Sequence, residues 1–216
     1  MSRNAKSLGE LVKNRNELVR RMRRIVVSEF VSLDGVMQAP GGREEDSSGS
    51  FKHGGWSFKF SDDQVPKYKL DELGASDALL LGRKTYEIFA SYWPKAKDDA
   101  GFADKMNNLS KHVVSTTLKK VDWNNSKLIK TNVAEEVRKL RQQPGKDILV
   151  YGSAKLVNTL LQHDLVDELR LMVHPVVLGS GRRLFDNHAE TLKQLKLAES
   201  KTFPSGIVLL SYHPAK

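Results

Sequence analysis

Blocks of apolar residues alternate with amphipathic blocks along the chain, and this pattern predicts strands that alternate with helices. The runs that predict strands are Ile25–Val31, Ala78–Leu81, Lys111–Thr116, Ile148–Val150, Asp167–Val173, Pro175–Leu178 and Ile207–Tyr212. The segments that predict helices are Pro66–Gly74, a stretch that begins at Tyr86, Asn132–Gln142, and a stretch through Leu156, Leu160 and Leu161. Such alternation favours an α/β fold of three layers, with a mainly parallel central sheet and helices on both faces. The strands that cluster near the C-terminus predict an antiparallel edge.

Three predicted strand ends carry small or hydroxylated residues that lead towards helices. They are Gly82–Thr85, Ser115–Thr117 and Gly152–Ala154. The N–H groups and the partial positive charge at a helix N-terminus suit phosphate oxygens, and Arg83 and Lys84 add full charges. A glycine at one such junction is commonly only a tight turn, and an exposed Arg-Lys pair is commonly only solvated. Three phosphate-compatible ends in one sheet favour a dinucleotide site beyond the carboxyl ends of the strands.

A long loop and one turn supply the candidate substrate residues. Residues 38–63 are rich in Gly, Ser, acids and aromatics, and long loops in compact domains are usually functional or disordered. Trp56 in this loop either closes over a planar ring or pins the loop to the body. Asp34-Gly35 follows the first strand, where Asp34 either orients the substrate or simply forms the turn. Tyr151 either lies beside the reactive ring of a bound dinucleotide or is a structural tyrosine.

Composition narrows the classes of protein. The chain has 216 residues and no cysteine, which excludes disulfides, thiolate metal sites and cysteine nucleophiles. No apolar run approaches the roughly 20 residues that span a bilayer, so we expect a cytoplasmic protein without membrane contact. The histidines are not spaced for a metal site with any carboxylate, and we assign no metal.

The net charge of +9 is concentrated at the N-terminus, since residues 1–24 hold eight basic and two acidic residues. Met22 directly precedes the first predicted strand. We therefore expect residues 1–21 to be a basic extension, a tag, leader or flexible segment, and residues 22–216 to form a single domain. Such a tail could bind polyanions weakly. We favour a solvated extension instead, without specific nucleic-acid binding.

Several motifs resemble one family when taken in order. The segment Leu80–Glu87, which reads LLGRKTYE, resembles the strand–turn–helix by which dihydrofolate reductases meet the cofactor phosphates, and Val150–Leu156 resembles the later glycine turn of that family. The stretch Leu165–Gly181 is similar to the reductase domain of the riboflavin pathway, the C-terminal half of the bifunctional deaminase-reductase. With Ser32-Leu33-Asp34-Gly35, the resemblance covers about residues 23–213.

This resemblance implies a dihydrofolate-reductase-like fold and hydride transfer from NADPH to a small heterocyclic substrate. The residues that it implies for the adenosine 2′-phosphate side are Arg83, Lys84 and Thr85, with Ser115, Thr116 and Thr117. Those that it implies for the pyrophosphate are Gly152, Ser153 and Ala154, next to the Gly82 turn. Asp34, Gly35 and Trp56 would face the substrate, with Asp34 and Tyr151 as the candidate catalytic residues. A homodimer through Asp167–Leu178 is also implied.

The chain departs from the riboflavin reductases at informative positions. Val36-Met37-Gln38 stands where those proteins usually carry a lysine, and Tyr151 stands where they usually carry a glutamate. The deaminase half is missing, and no carboxylate matches the buried acid of dihydrofolate reductases. These departures leave a second hypothesis, a catalytically inactive protein on the same fold that binds or senses a nucleotide. Turnover of NADPH separates the two hypotheses.

Overall fold

The computed structural model describes residues 22–60, 62–98, 100–185 and 192–215, and the basic extension 1–21 lies outside them. The strands are β1 (Ile25–Ser32), β2 (Ser76–Gly82), β3 (Ser110–Val114), β4 (Ser126–Ile129), β5 (Asp147–Val150), β6 (Glu168–His174), β7 (Leu195–Thr202) and β8 (Val208–Pro214). The α-helices are α1 (Gln64–Gly74), α2 (Arg83–Tyr92), α3 (Phe102–Asn108), α4 (Val133–Gln142) and α5 (Ala154–Gln162). Two short 3-10 turns, Ser48–Ser50 and Trp56–Lys59, lie in the loop after β1.

The strands form one eight-stranded sheet in the order β4-β3-β2-β5-β1-β6-β8-β7. The first six in this order run parallel, whereas β8 is antiparallel to β6 and β7 is antiparallel to β8. The mainly parallel sheet with an antiparallel C-terminal edge is therefore confirmed. In such a sheet the carboxyl ends of β1, β2, β3 and β5 meet at one edge, where open α/β proteins bind their ligands.

Alternate residues of each central strand pack against helices on opposite faces of the sheet. Ile25 and Val27 join the cluster that α4 and α5 cover through residues such as Val137 and Leu160, while Val26 faces the opposite cluster with α1, α2 and α3. The continuous apolar runs of β1, β2 and β5 follow from this burial on both faces. The result is the three-layer arrangement that the alternating pattern predicts.

One strand was wrongly predicted and three elements were missed. Residues Pro175–Leu178 are not a strand: the Val176 N–H bonds to the carbonyl of His174, and the Leu178 N–H donates to the Asp34 carboxylate instead of to a neighbouring strand. The sequence pattern also missed β4, β7 and α3. Seven of the eight residues of β7 are exposed, so no apolar alternation marks it.

Strand β6, which holds most of the expected dimer segment Asp167–Leu178, does not lie at the edge of the sheet. Strand β6 lies inside the sheet between β1 and β8, and β7 is the edge on that side. Asp167–Val173 is therefore not an exposed sheet edge to which a second copy of the chain could add a strand. The homodimer itself stays a prediction. None of the helices in the described part of the chain is long and apolar enough to cross a membrane.

Candidate active site

The turns after β2 and β5 touch each other at the carboxyl edge of the sheet. The Gly82 N–H donates to the carbonyl of Gly152 at 3.0 Å. A Cβ on Gly82 would lie 2.3 Å from the Ser153 hydroxyl oxygen, and a Cβ on Gly152 would lie 2.8 Å from the Thr85 hydroxyl oxygen. Gly152 also has a φ of +95°, which side chains rarely adopt. Both positions therefore require glycine for the two turns to approach this closely.

Two helices begin at these turns, with Gly82 at the N-cap of α2 and Ser153 at the N-cap of α5. Neither helix has a side-chain hydrogen bond at its N-cap. The first N–H groups of an α-helix have no partner within the helix, and the helix dipole places partial positive charge there. Two such ends, side by side, fit the diphosphate of a dinucleotide.

The strand end after β3 provides exposed hydroxyl groups rather than a third phosphate cradle. Ser115 is buried, and its Oγ accepts hydrogen bonds from the N–H groups of Thr117 and Leu118 at 3.1 and 3.0 Å. This serine therefore holds the turn. Thr116 and Thr117 are exposed and available to a ligand.

The two basic residues of the β2 turn are half-exposed and already have carboxylate partners. Arg83 Nη1 lies 3.1 Å from both carboxylate oxygens of Glu87, one turn along α2. Lys84 Nζ lies 3.6 Å from the carboxylate of Asp46 in the long loop. Both side chains of the Arg83–Glu87 pair are exposed, so this pair contributes little to stability. Arg83 can therefore exchange Glu87 for a ligand phosphate at little cost.

A cavity of about 310 Å³ opens beside these turns. Thr85, Ser153 and Ala154 line it, so the cavity is continuous with the glycine turns. The apolar wall comes from α2, α3 and the residues that follow α2, and it consists of Ile88, Phe89, Trp93, Phe102 and Met106. The opposite wall consists of Glu29 and Phe30 from β1, Lys69 from α1, and Tyr151. Its shape and lining suit a flat ring.

Glu29 is the unusual group in this cavity. It lies in the middle of the apolar strand β1, is buried, and its Oε1 has no hydrogen-bond partner among the described residues. Burial raises the pKa of Glu29 to about 8; the Lys69 ammonium opposes this shift and the Glu72 carboxylate adds to it. A Cβ on Gly152 would lie 3.7 Å from Oε1. A neutral carboxylic acid thus stands between the cavity and the glycine turn.

A network of charged side chains lies behind Glu29. The buried Glu72 carboxylate accepts hydrogen bonds from Tyr151 Oη at 3.1 Å, from Arg170 Nη1 at 3.1 Å, and from Lys69 Nζ. Lys69 Nζ also donates to Ser28 Oγ at 2.8 Å and lies 4.2 Å from the centre of the Tyr151 ring. Burial raises the pKa of Glu72, but the Lys69 and Arg170 cations outweigh this effect and hold the pKa below its usual range.

Tyr151 therefore belongs to the cavity wall through its ring rather than through its hydroxyl group. Burial raises the pKa of the Tyr151 phenol well above its ordinary value. The Glu72 carboxylate, which accepts the hydrogen bond of the phenol, raises that pKa further. The phenol stays protonated at neutral pH. Its hydrogen bond is committed to Glu72 and is not directed to a substrate.

Asp34, Gly35 and Trp56 are not among the residues that line the cavity. Asp34 accepts hydrogen bonds from the N–H groups of Leu178 and Gly179, which tie the turn after β1 to the segment after β6. Burial raises the pKa of Asp34, but these two hydrogen bonds and a third from the Ser32 hydroxyl group outweigh it and hold the pKa at about 2.

Gly35 has a φ of +79° and forms the turn after β1. Trp56 is 2% exposed, and its indole N–H donates to the Gln38 carbonyl at 2.8 Å. This tryptophan pins the loop, which is the structural one of the two roles that its sequence position allowed. Among the described residues, no group of three or more His, Asp or Glu side chains could hold a metal ion.

The sequence reasoning missed Glu29, Lys69 and Glu72. The signal for Glu29 was present, because it is the one charged residue in the run IVVSEFVS. A charge in a strand that is apolar on both faces carries a desolvation cost, which marks such a position as functional. Lys69 and Glu72 carried no comparable signal, since charged residues at this spacing on a helix are usually solvated.

The sheet order and the helices on both faces give the chain a dihydrofolate-reductase-like fold. The dihydrofolate reductase of Enterococcus faecalis, solved as a complex with NADP(H), superposes with a TM-score of 0.54 at 14% identity, covering 89% of this chain and 97% of that one. The Thermotoga maritima protein named as a deaminase and 5-amino-6-(5-phosphoribosylamino)uracil reductase gives a TM-score of 0.59 at 15% identity. That match covers 96% of this chain and 62% of the Thermotoga chain.

The chain belongs to the RibD C-terminal domain family, whose family model matches residues 23–209. Its relatives include the uncharacterized protein YyaP of Bacillus subtilis (strain 168), which is 35% identical over 196 residues. That match covers 89% of this chain and 96% of YyaP. The family is reductase-like, which supports an oxidoreductase.

Proposed function

We propose that this protein is an NADPH-dependent reductase of a small heterocyclic ring, and that Glu29 is its proton donor. The observation that carries the proposal is the buried carboxyl group of Glu29, which lines the cavity beside the Gly152 turn and whose Oε1 has no hydrogen-bond partner among the described residues. Reduction of a C=N bond needs a hydride at carbon and a proton at nitrogen. NADPH, when bound, supplies the hydride.

The residues at the sheet edge would hold the cofactor in two parts. The N-terminal N–H groups of α2 and α5, with Gly152 and Thr85 beside them, would bind the diphosphate. Arg83 and the exposed hydroxyl groups of Thr116 and Thr117 would bind the 2′-phosphate, while Lys84 stays paired with Asp46. The cofactor in the relative from Enterococcus, together with these basic and hydroxyl residues, supports NADPH over NADH.

Glu29 would transfer its proton to the ring nitrogen as the neighbouring ring carbon receives the hydride. The O–H bond of the carboxyl group breaks, a N–H bond forms, and Glu29 is left as a carboxylate. The ammonium group of Lys69, which favours the ionised form, stabilises this carboxylate until a proton returns from solvent. A general acid works best when its pKa lies near the working pH, as it does here.

The test is NADPH oxidation with a panel of neutral pteridine and pyrimidine acceptors, compared between the wild-type protein and Glu29→Gln. We expect the wild-type rate to fall above about pH 8, by about tenfold per pH unit, as Glu29 loses its proton. Glu29→Gln should lose about 10²–10⁴-fold in rate while still binding NADPH.

The matched control is Glu199→Gln, which changes an exposed glutamate in β7 far from the cavity wall. It should leave the rate and its pH profile unchanged. Wild-type protein that binds NADPH but turns over no acceptor would support the nucleotide-binding alternative. Full activity of Glu29→Gln would contradict the role of Glu29.

A further inference from the structure

Each cationic side chain that lines the cavity already has an anionic or polar partner. Lys69 bonds to Glu72 and Ser28. Arg182 Nη1 donates to Asp46 Oδ2 at 2.9 Å, and Lys84 Nζ lies 3.6 Å from Asp46 Oδ1. The lining residues therefore offer no unpaired cation to an anionic substrate.

Carboxylate groups also surround the loop side of the cavity. Asp46 is buried; burial opposes its ionisation, but its bonds to Ser48 and Arg182 keep its pKa below the ordinary value. Glu45 lies next to it in the lining. A phosphate group here would have to displace the buried Asp46 carboxylate, which both Lys84 and Arg182 already contact.

The rest of the cavity favours a flat, uncharged group. Phe89, Trp93, Phe102 and Met106 form a continuous apolar wall that would pack against a ring face. The volume of about 310 Å³ lies at the lower end of the range for ligand cavities, which is roughly 300–1,000 Å³.

We propose that the substrate is an uncharged, unphosphorylated planar heterocycle that packs against the apolar wall of the cavity. This inference rests on the proposed reductase function and names its substrate class. It separates this protein from the Thermotoga relative, whose name specifies a phosphoribosylamino substrate. Pairing of every lining cation is the observation that carries it.

The experiment is calorimetric titration of the NADPH-saturated protein with matched pairs of rings that differ only in a phosphate. One pair is 6-hydroxymethylpterin and its phosphate ester, and a second is uridine and uridine 5′-monophosphate. We expect the neutral member of at least one pair to bind at least about tenfold more tightly than its phosphate ester. Tighter binding of the phosphate esters, or no binding of any ring, would overturn the inference.

Two variants test the physical reason. Asp46→Asn releases Lys84 and Arg182 from their shared carboxylate, so the affinity for the phosphate esters should rise by about tenfold. Phe102→Ala removes part of the apolar wall, so the neutral ring should bind about fivefold more weakly. Unchanged affinities in both variants would count against the inference. NADPH titration of the same preparations reports separately on the proposed reductase function.

Discussion

The protonated state of Glu29 has a consequence for stability that is independent of any substrate. Its pKa rises from the ordinary value of 4.5 to about 8 because the folded protein buries the carboxyl group. Between these two values the unfolded chain has released the proton and the folded protein keeps it. The free energy of unfolding therefore falls as pH rises through this window, by about 1.4 kcal/mol per pH unit. Below about pH 4.5 the contribution is fully present, and above about pH 8 it is lost.

Glu29→Gln removes this titration and keeps nearly the same shape. Between about pH 5.5 and about pH 7.5 the wild-type protein should lose about 2–3 kcal/mol of stability relative to the variant. The assay is urea unfolding followed by tryptophan fluorescence at both pH values, with the exposed Glu199→Gln as control. The control should follow the wild-type protein. A difference between Glu29→Gln and wild type that does not change with pH would refute the reasoning, because the native carboxyl group would then be ionised throughout.

Three further substitutions separate binding residues from structural ones. Gly152→Ala places a Cβ 2.8 Å from the Thr85 hydroxyl oxygen at a φ of +95°, so it should cost about 1–3 kcal/mol and weaken NADPH binding, as measured by urea unfolding and calorimetry. Lys111 is fully buried and donates to the carbonyls of Asn107, Leu109 and Asn124. Lys111→Met leaves these carbonyls unpaired, so it should lower the free energy of unfolding by about 3–5 kcal/mol, as measured by urea unfolding. Asp34→Asn should lower stability by about 1–2 kcal/mol at neutral pH, and its cost should shrink as pH falls from about 4 towards 2, while NADPH affinity stays unchanged. A loss of NADPH oxidation with unchanged stability in Asp34→Asn would instead restore Asp34 as a catalytic residue.

The alternation of apolar runs and amphipathic segments was sufficient to predict the sheet architecture. Runs such as Leu79–Leu81 are apolar at every position because helices cover both faces of the sheet, and this is a local signal. The edge strands β4 and β7 gave no such signal, since an edge strand faces solvent. Segment Pro175–Leu178 is apolar but bends away, because the carboxylate of Asp34, distant in sequence, accepts the N–H groups of Leu178 and of Gly179 that follows it. That contact could not be predicted from the segment itself.

The candidate site was predictable where it depends on backbone geometry and not where it depends on tertiary contacts. The glycines at 82 and 152 stand out because turns at strand ends need them. The substrate side depends on which helix packs over β1, and only the fold brings Lys69 and Glu72 of α1 next to Glu29. Asp34 and Trp56 have sequence features of a site, but the structure uses their polar atoms to hold loops.

The central claim is that the glycine turns after β2 and β5 form an NADPH site that opens on the acid of Glu29. Its most direct test is calorimetric titration of the purified protein with NADPH and with NADH. The account predicts saturable binding of NADPH, weaker binding of NADH, and a clear loss of NADPH affinity in Gly152→Ala but not in Asp34→Asn. Failure of the protein to bind either nucleotide would contradict the account.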